Sequence, residues 1–235
     1  MTAPEFNFLE EVKKGFAGLA LKEVELDPAL RHIEVNGGRS GLEVFQSENI
    51  AKAVFSAIDI DSLPVCEQSV ILWPAAHCDL PVFWCNLTQM PGMNIHIFDL
   101  IPAMDIVLWP QYGRRYLMVL QELRAKAEEL LGSEITDKNF AITSPVGWAL
   151  SPCRILFKLT DAGSERLAPV LQAYCAAYST FCRNAVPATD SAERDYAARR
   201  REAVRRLMKE NDPGYPLMVK LFGEERTAQV FDIVF

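Results

Sequence analysis

The chain has 235 residues, half of them hydrophobic and 23% charged, enough to bury the core of one large domain over residues 1–235. Its net charge of −7 argues against a general nucleic-acid binder, which would be basic, and no apolar run reaches the length of a membrane span. Six cysteines without a CxxC pair and three scattered histidines offer no metal or iron–sulfur motif, so buried reduced thiols are expected. Residues 1–14 carry acids and lack the apolar centre of a secretory signal, which makes a cytoplasmic location the expectation.

In chain order, residues 6–20 place Phe8, Leu9, Val12, Phe16 and Leu19 at helical spacing and read as an amphipathic helix. Residues 23–26 read as a strand, and residues 32–35 lead through Asn36-Gly37-Gly38, a hairpin signal, into a returning strand over 41–46. Residues 50–60 are apolar and ambiguous between helix and strand. Residues 69–100 hold three short runs rich in Val, Ile, Phe and Trp, broken at Pro74 and at Pro91-Gly92. Such runs predict buried strands, here an antiparallel meander at the centre of a sheet, with a type II turn at Pro91-Gly92. Pro102 and Pro110 bracket a loop or short strand, and residues 112–131 predict a long helix capped by Gly132. Residues 135–147 read as loop, and 154–159 as a half-exposed strand. Helices are predicted over 164–182 and 191–210, separated by a break at 187–190. The segment 215–235 reads as helical around 219–222 and again from Glu224. Strands first and helices later predict an α+β fold, an antiparallel sheet covered by helices.

The meander keeps few polar residues: Ser69, Asn86, Asn94, His96 and Asp99. Buried strands must satisfy such groups, so this sheet is the first place to look for a site. By period two, Glu67, Ser69 and Ile71 share one strand face, as do Asn94 and His96. Asn86 is either an inward amide satisfied by backbone or an amide facing a polar ligand. His96 reads as a core histidine unless Asn94 and Asn86 lie beside it. Asp212 stands between a basic helix and a Pro213-Gly214 turn; it is either a capping aspartate or a proton donor at a pocket mouth. The helix before it carries seven Lys or Arg against four acids, a solvated face or a patch that steers an acidic partner.

Two stretches together resemble the ferredoxin-dependent bilin reductases. One is WPAAHCDLPVFWCNLTQMPGMNIHIFDLIP, with its aromatic-Pro end, Asp-Leu-Pro-Val-Phe, Pro-Gly turn and Asp-Leu-x-Pro ending. The other is NDPGYPLMVKLFGEERTAQVFDIVF, with its Asn-Asp element, Phe-Gly and Phe-Asp. A weaker match is LEVFQSENIAKAVFSAIDI, and together they span residues 42–235. The resemblance implies a three-layer α/β/α sandwich around a central antiparallel sheet. Biliverdin or a relative would lie between the sheet and the C-terminal helices. No cofactor would be bound: a ferredoxin partner, keeping its own [2Fe–2S] cluster, delivers single electrons. The protein delivers protons, the bilin carries the radical intermediates, and the protein acts as a cytoplasmic monomer.

Residue by residue, the resemblance makes Asp212 the C-terminal catalytic aspartate. Asn86 falls where some members carry a central-sheet aspartate, and Ser69 near the histidine that pairs with it; both depart from that pattern. Asn94 and Lys158 match positions that line the pocket or hold propionates, and His96 with Asn86 would hold the pyrrole edges. Glu67, Asp59 or Asp61 would supply a second carboxylate, their alternative being surface or turn acids. Without the central acid–histidine pair, A-ring diene reduction is the favoured outcome. The alternatives are a non-catalytic bilin carrier on the same fold and a reductase of a chlorophyll-derived open tetrapyrrole. FDLIPAMDIVLWPQY and LFGEE are also similar to red chlorophyll catabolite reductase.

Overall fold

The computed structural model describes residues 7–35, 37–60, 65–138, 140, 142–185 and 190–235. The expectations for Asn36, Asp61 and residues 187–189 fall outside these.

The apolar runs pair into one antiparallel sheet. Its strands are β1 (Lys22–Val24), β2 (His32–Val35), β3 (Gly38–Gln46), β4 (Ile50–Ile60), β5 (Val65–Pro74), β6 (Val82–Met90), β7 (Met93–Ile101), β8 (Ile135–Asp137) and β9 (Ile155–Leu159). Their order is β1-β3-β4-β5-β6-β7-β9-β8, with β2 also on β3. The ambiguous run at 50–60 is a strand, and the meander lies at the centre. Pro91-Gly92 makes the tight turn between β6 and β7, where Gly92 takes a φ of 73°.

Alternation along each strand sends side chains to two different layers. On one face, Phe55, Val70, Leu72, Phe83, Cys85, Phe98 and Phe157 pack against α1 (Phe8–Gly15), α4 (Met118–Leu131) and α6 (Ala168–Arg183). The stripe Phe8, Val12, Phe16 is what docks α1, and Asn7 caps it through the Glu10 amide. There Tyr174 stacks on Phe83 with centroids 4.4 Å apart. The approach of α1 to α6 is close enough that a Cβ on Gly15 would sit 2.4 Å from the Cys175 Cβ. On the other face, Val54, Ile71, Trp73, Val82 and Ile101 meet α7 (Ser191–Asn211), α8 (Tyr215–Phe222) and α9 (Glu224–Val234). Trp73 Nε1 donates to the Val234 carbonyl at 3.0 Å and pins the end of α9 over the sheet. This is the expected α/β/α sandwich.

Four expectations change in detail. The helix predicted over 112–131 is divided at Leu117 into α3 (Pro110–Tyr116) and α4. That over 164–182 becomes α5 (Asp161–Arg166) and α6, because Pro169 has no N–H and opens a new helix. Within 135–147, residues Ile135–Asp137 form an edge strand and Pro145–Trp148 a 3-10 turn. Finally, β9 is not half-exposed: lying between β7 and β8, it buries every residue except Lys158, which is partly exposed.

Candidate active site

On the second face the sandwich is not filled. A cavity of about 280 Å³ lies between the centre of the sheet and the C-terminal helices. Its floor is Ser56, Glu67, Ser69, Ile71, Trp84, Asn86, Thr88, Ile95 and Ile97; its roof is Phe140, Ile142, Ser144, Val146, Met208, Asp212, Pro213, Gly214, Phe231, Val234 and Phe235. A few convergent polar groups in an apolar frame are the usual make-up of a small-molecule site.

The floor polar groups are ordered by the strand register. Ser69 pairs with Asn86 and Glu67 with Thr88 across β5 and β6. Thr88 Oγ1 donates to Asn86 Oδ1 at 3.1 Å, which turns the amide nitrogen toward Glu67. Asn86 Nδ2 then donates to Glu67 Oε1 at 2.8 Å. Trp84 Nε1 donates to Ser69 Oγ at 3.3 Å, so the hydroxyl that replaces the expected histidine holds the indole.

The roof acid comes from the end of α7. Pro213 disfavours helix at Asp212, which adopts φ −66°, ψ 120°. Asp212 Oδ1 accepts from the Gly214 amide at 2.7 Å. Asp212 thus holds the turn through one carboxylate oxygen and also lines the cavity. Ser144 Oγ donates to the Asn211 carbonyl at 2.8 Å and fixes this corner to the 142–148 segment.

The two acids line the same cavity, the charge of Asp212 acts on Glu67, and both shift in the same direction. Burial first, and then the charge of Asp212, raise the Glu67 carboxyl to about 7 against the opposing hydrogen bond from the Asn86 amide. Burial also raises Asp212, against the hydrogen bond from Gly214. Glu67 is thus disposed to hold a proton near neutral pH, as an acid of a site that protonates its ligand would be, and Asp212 is shifted in the same direction. Glu67 lies toward one end of the floor, beside Thr88 and Ile95, whereas Ile71, Trp84 and Val234 make the other end apolar.

Of the residues singled out from sequence, Asp212, Asn86, Ser69 and Glu67 come together here. Asn94 and His96 do not. Thr88 pairs with Ile95 and Asn86 with Ile97, so Ile95 and Ile97 face the cavity and their neighbours face the opposite layer. Asn94 Nδ2 donates to Asp161 Oδ1 at 2.8 Å. His96 is fully buried against Ser164 Oγ at 2.9 Å, and burial holds its imidazole down to about 3, hence neutral. Lys158 is opposite Ile95 on the cavity side, but at the rim. Its ammonium lies 3.6 Å from Asp137 and 4.7 Å over the ring of Phe140. Asp59 pairs with Arg39 at 2.8 Å, outside the cavity. Asp99 is on the cavity side of β7 yet sealed beneath the 149–154 loop, where Ser151 N donates to its carboxylate at 2.8 Å. Thr88 went unnoticed in the sequence; period two from Asn86 was the signal that would have found it.

Asp212 and Phe235 also line an outer pocket of about 620 Å³, where Arg205 pairs with Glu202 and Lys209 with Asp232 beside Arg206 and Glu210. Among the described residues no cluster of His, Cys, Asp and Glu is arranged to hold a metal.

Three comparisons bear on this geometry. The family model for ferredoxin-dependent bilin reductases matches residues 9–234. No curated protein matches the sequence. The crystal structure of phytochromobilin synthase from tomato in complex with biliverdin is similar in fold, with a TM-score of 0.77 at 18% identity over 94% of this chain and 78% of that one.

Proposed function

The chain belongs to the ferredoxin-dependent bilin reductases and is thus an oxidoreductase; we propose that it reduces a biliverdin-type bilin at its terminal A-ring diene, with Glu67 and Asp212 as the proton donors. The observation that carries this reading is the pair of carboxyls, both raised and both lining one cavity, with Glu67 toward one end of its floor. Each two-electron reduction takes one electron from each of two reduced ferredoxins and two protons from the protein. Two raised acids meet that demand, and the place of Glu67 toward one end of the floor favours a terminal ring over the bridge at the centre. An amide at Asn86 cannot donate a proton as an acid would. It is a positioning residue, held by Thr88 and holding Glu67.

The acids are recharged from solvent through the outer pocket, which Asp212 also lines. Arg205 and Lys209 there are already paired with Glu202 and Asp232. Lys158, on the cavity side at the rim, keeps the propionate role, exchanging Asp137 for the carboxylate of the ligand. Cytoplasmic residence and a monomeric state remain part of the same reading.

The test is anaerobic: purified protein, ferredoxin, its reductase and biliverdin, followed by absorbance and by chromatography of the product. An A-ring-reduced product supports the reading. A product reduced at the central bridge refutes the regiochemistry. Tight biliverdin binding with no spectral change on adding reduced ferredoxin would make the protein a carrier.

A further inference from the structure

Outside the cavity, the largest exposed aromatic is Trp148, 80% accessible at the end of the Pro145–Trp148 turn. Water-exposed tryptophan is costly enough to merit an explanation when it borders a groove. Here it does. Trp148 and Ala149 form one wall of a groove of about 320 Å³, and Arg200, Ala203, Arg206 and Leu207 on the outer face of α7 form the other. Arg200 Nε is held by the Pro102 carbonyl at 2.9 Å, which fixes its guanidinium at the groove. Arg206 makes no ion pair among the described residues. The protein as a whole carries −7, so this basic, aromatic patch runs against the sign of its surroundings.

We infer that this groove is the docking surface for the acidic iron–sulfur electron donor, with Trp148 as its central contact. The inference rests on the function proposed above and names where the donor binds. Charge complementarity selects the partner: arginines steer an acidic protein, and Trp with Arg is the pairing that dominates interface energetics. Position selects the place. Leu207 and Glu210 line the groove, whereas Met208 on the same helix and Asp212 just past its end line the cavity. Val146, two residues before Trp148, also lines the cavity. A donor seated on Trp148 is therefore separated from the bilin site by the thickness of one helix and one turn. The bilin and its electron source reach opposite sides of a single wall.

The experiment uses the full chain with a plant-type [2Fe–2S] ferredoxin and two variants, Trp148→Ala and Ala203→Glu. Both positions are exposed and neither touches the cavity, so biliverdin titration and reduction driven by methyl viologen should match wild type. KM for ferredoxin should rise about tenfold or more in each. The Ala203→Glu effect should shrink as salt is raised, because it acts by charge repulsion. Unchanged KM for ferredoxin in both variants overturns the docking surface while leaving the bilin chemistry intact. Failure of wild type itself to reduce bilin overturns the function instead. Loss of sedimentation with anionic vesicles in Trp148→Ala, with ferredoxin KM unchanged, would assign the patch to a lipid surface and also overturn the inference.

Discussion

Replacing Glu67 by Gln isolates the acid on the sheet. Native Glu67 holds its proton up to about 7, against 4.5 for an ordinary glutamate. The native state therefore binds this proton more tightly than the unfolded chain does. Stability must fall as pH rises from 4.5 to about 7 and then level off. At about 1.4 kcal/mol per pH unit, ionised Glu67 costs the fold at most about 3 kcal/mol, a ceiling because solvent in the cavity screens the charge. Gln never ionises, and its carbonyl keeps the hydrogen bond from Asn86. The variant should therefore be more stable than wild type above pH 7, with the gap growing by about 2 kcal/mol between pH 5.5 and pH 8. In urea that is a widening of the midpoint difference by about 1 M. Turnover should move the other way, dropping roughly 10²- to 10⁴-fold with loss of a general acid. Urea titrations at the two pH values and ferredoxin-driven turnover are the measurements. A midpoint difference that does not change with pH would refute the claim that Glu67 is held protonated by its surroundings.

Asp212→Asn should cost roughly 10²- to 10⁴-fold in turnover with little change in biliverdin affinity. It should also move the alkaline limb of the remaining pH profile to lower pH, because the charge that helps raise Glu67 is gone; equal turnover would remove Asp212 from the mechanism. Asn86→Asp puts an acid at the centre of the floor and should shift the product chromatogram toward reduction at the central bridge. His96→Leu should change turnover less than twofold, since the ring faces the opposite layer. It should also abolish the loss of stability that wild type suffers as pH falls from 6.5 toward 3, where the buried imidazole resists the proton that the unfolded chain accepts. Gly15→Ala should destabilise by about 1–3 kcal/mol in urea without affecting biliverdin binding, because its methyl group overpacks α1 against Cys175.

The layers of the fold were legible because the strands announce themselves. Short β-branched and aromatic runs, closed by Pro and Gly, leave few alternatives for residues 69–100. The acid at Asp212 was legible too, since Pro213 and Gly214 mark a break in the helix wherever the chain goes next. What the strand pattern does not carry is which of two alternating faces meets the site. The family resemblance points Asn94 and His96 at the cavity, and the register puts them on the other side. The information was nevertheless present in Pro91-Gly92. A two-residue turn pairs Met90 with Met93, and counting outward pairs Thr88 with Ile95 and Asn86 with Ile97. Choosing Asn86 as cavity-facing therefore already excluded His96.

The same count explains why the chain can keep polar groups on both faces of one central strand pair. On the helix α6 side the layer is closed, so His96 stays neutral, and burial raises Cys85 and Cys175 far enough to keep both thiols protonated. Groups there are silenced by desolvation and contribute shape. On the α7 side the layer stops short, and Glu67 and Asp212 keep access to a volume that a ligand or water can enter. Raised acids there remain exchangeable, which a proton donor requires and a core residue does not. Desolvation acts in both layers, but it makes chemistry only where packing is incomplete. Closing the cavity with a larger floor residue, as in Ser69→Phe, should therefore improve packing and abolish bilin binding together. Retained biliverdin binding by that variant would mean that the ligand lies elsewhere.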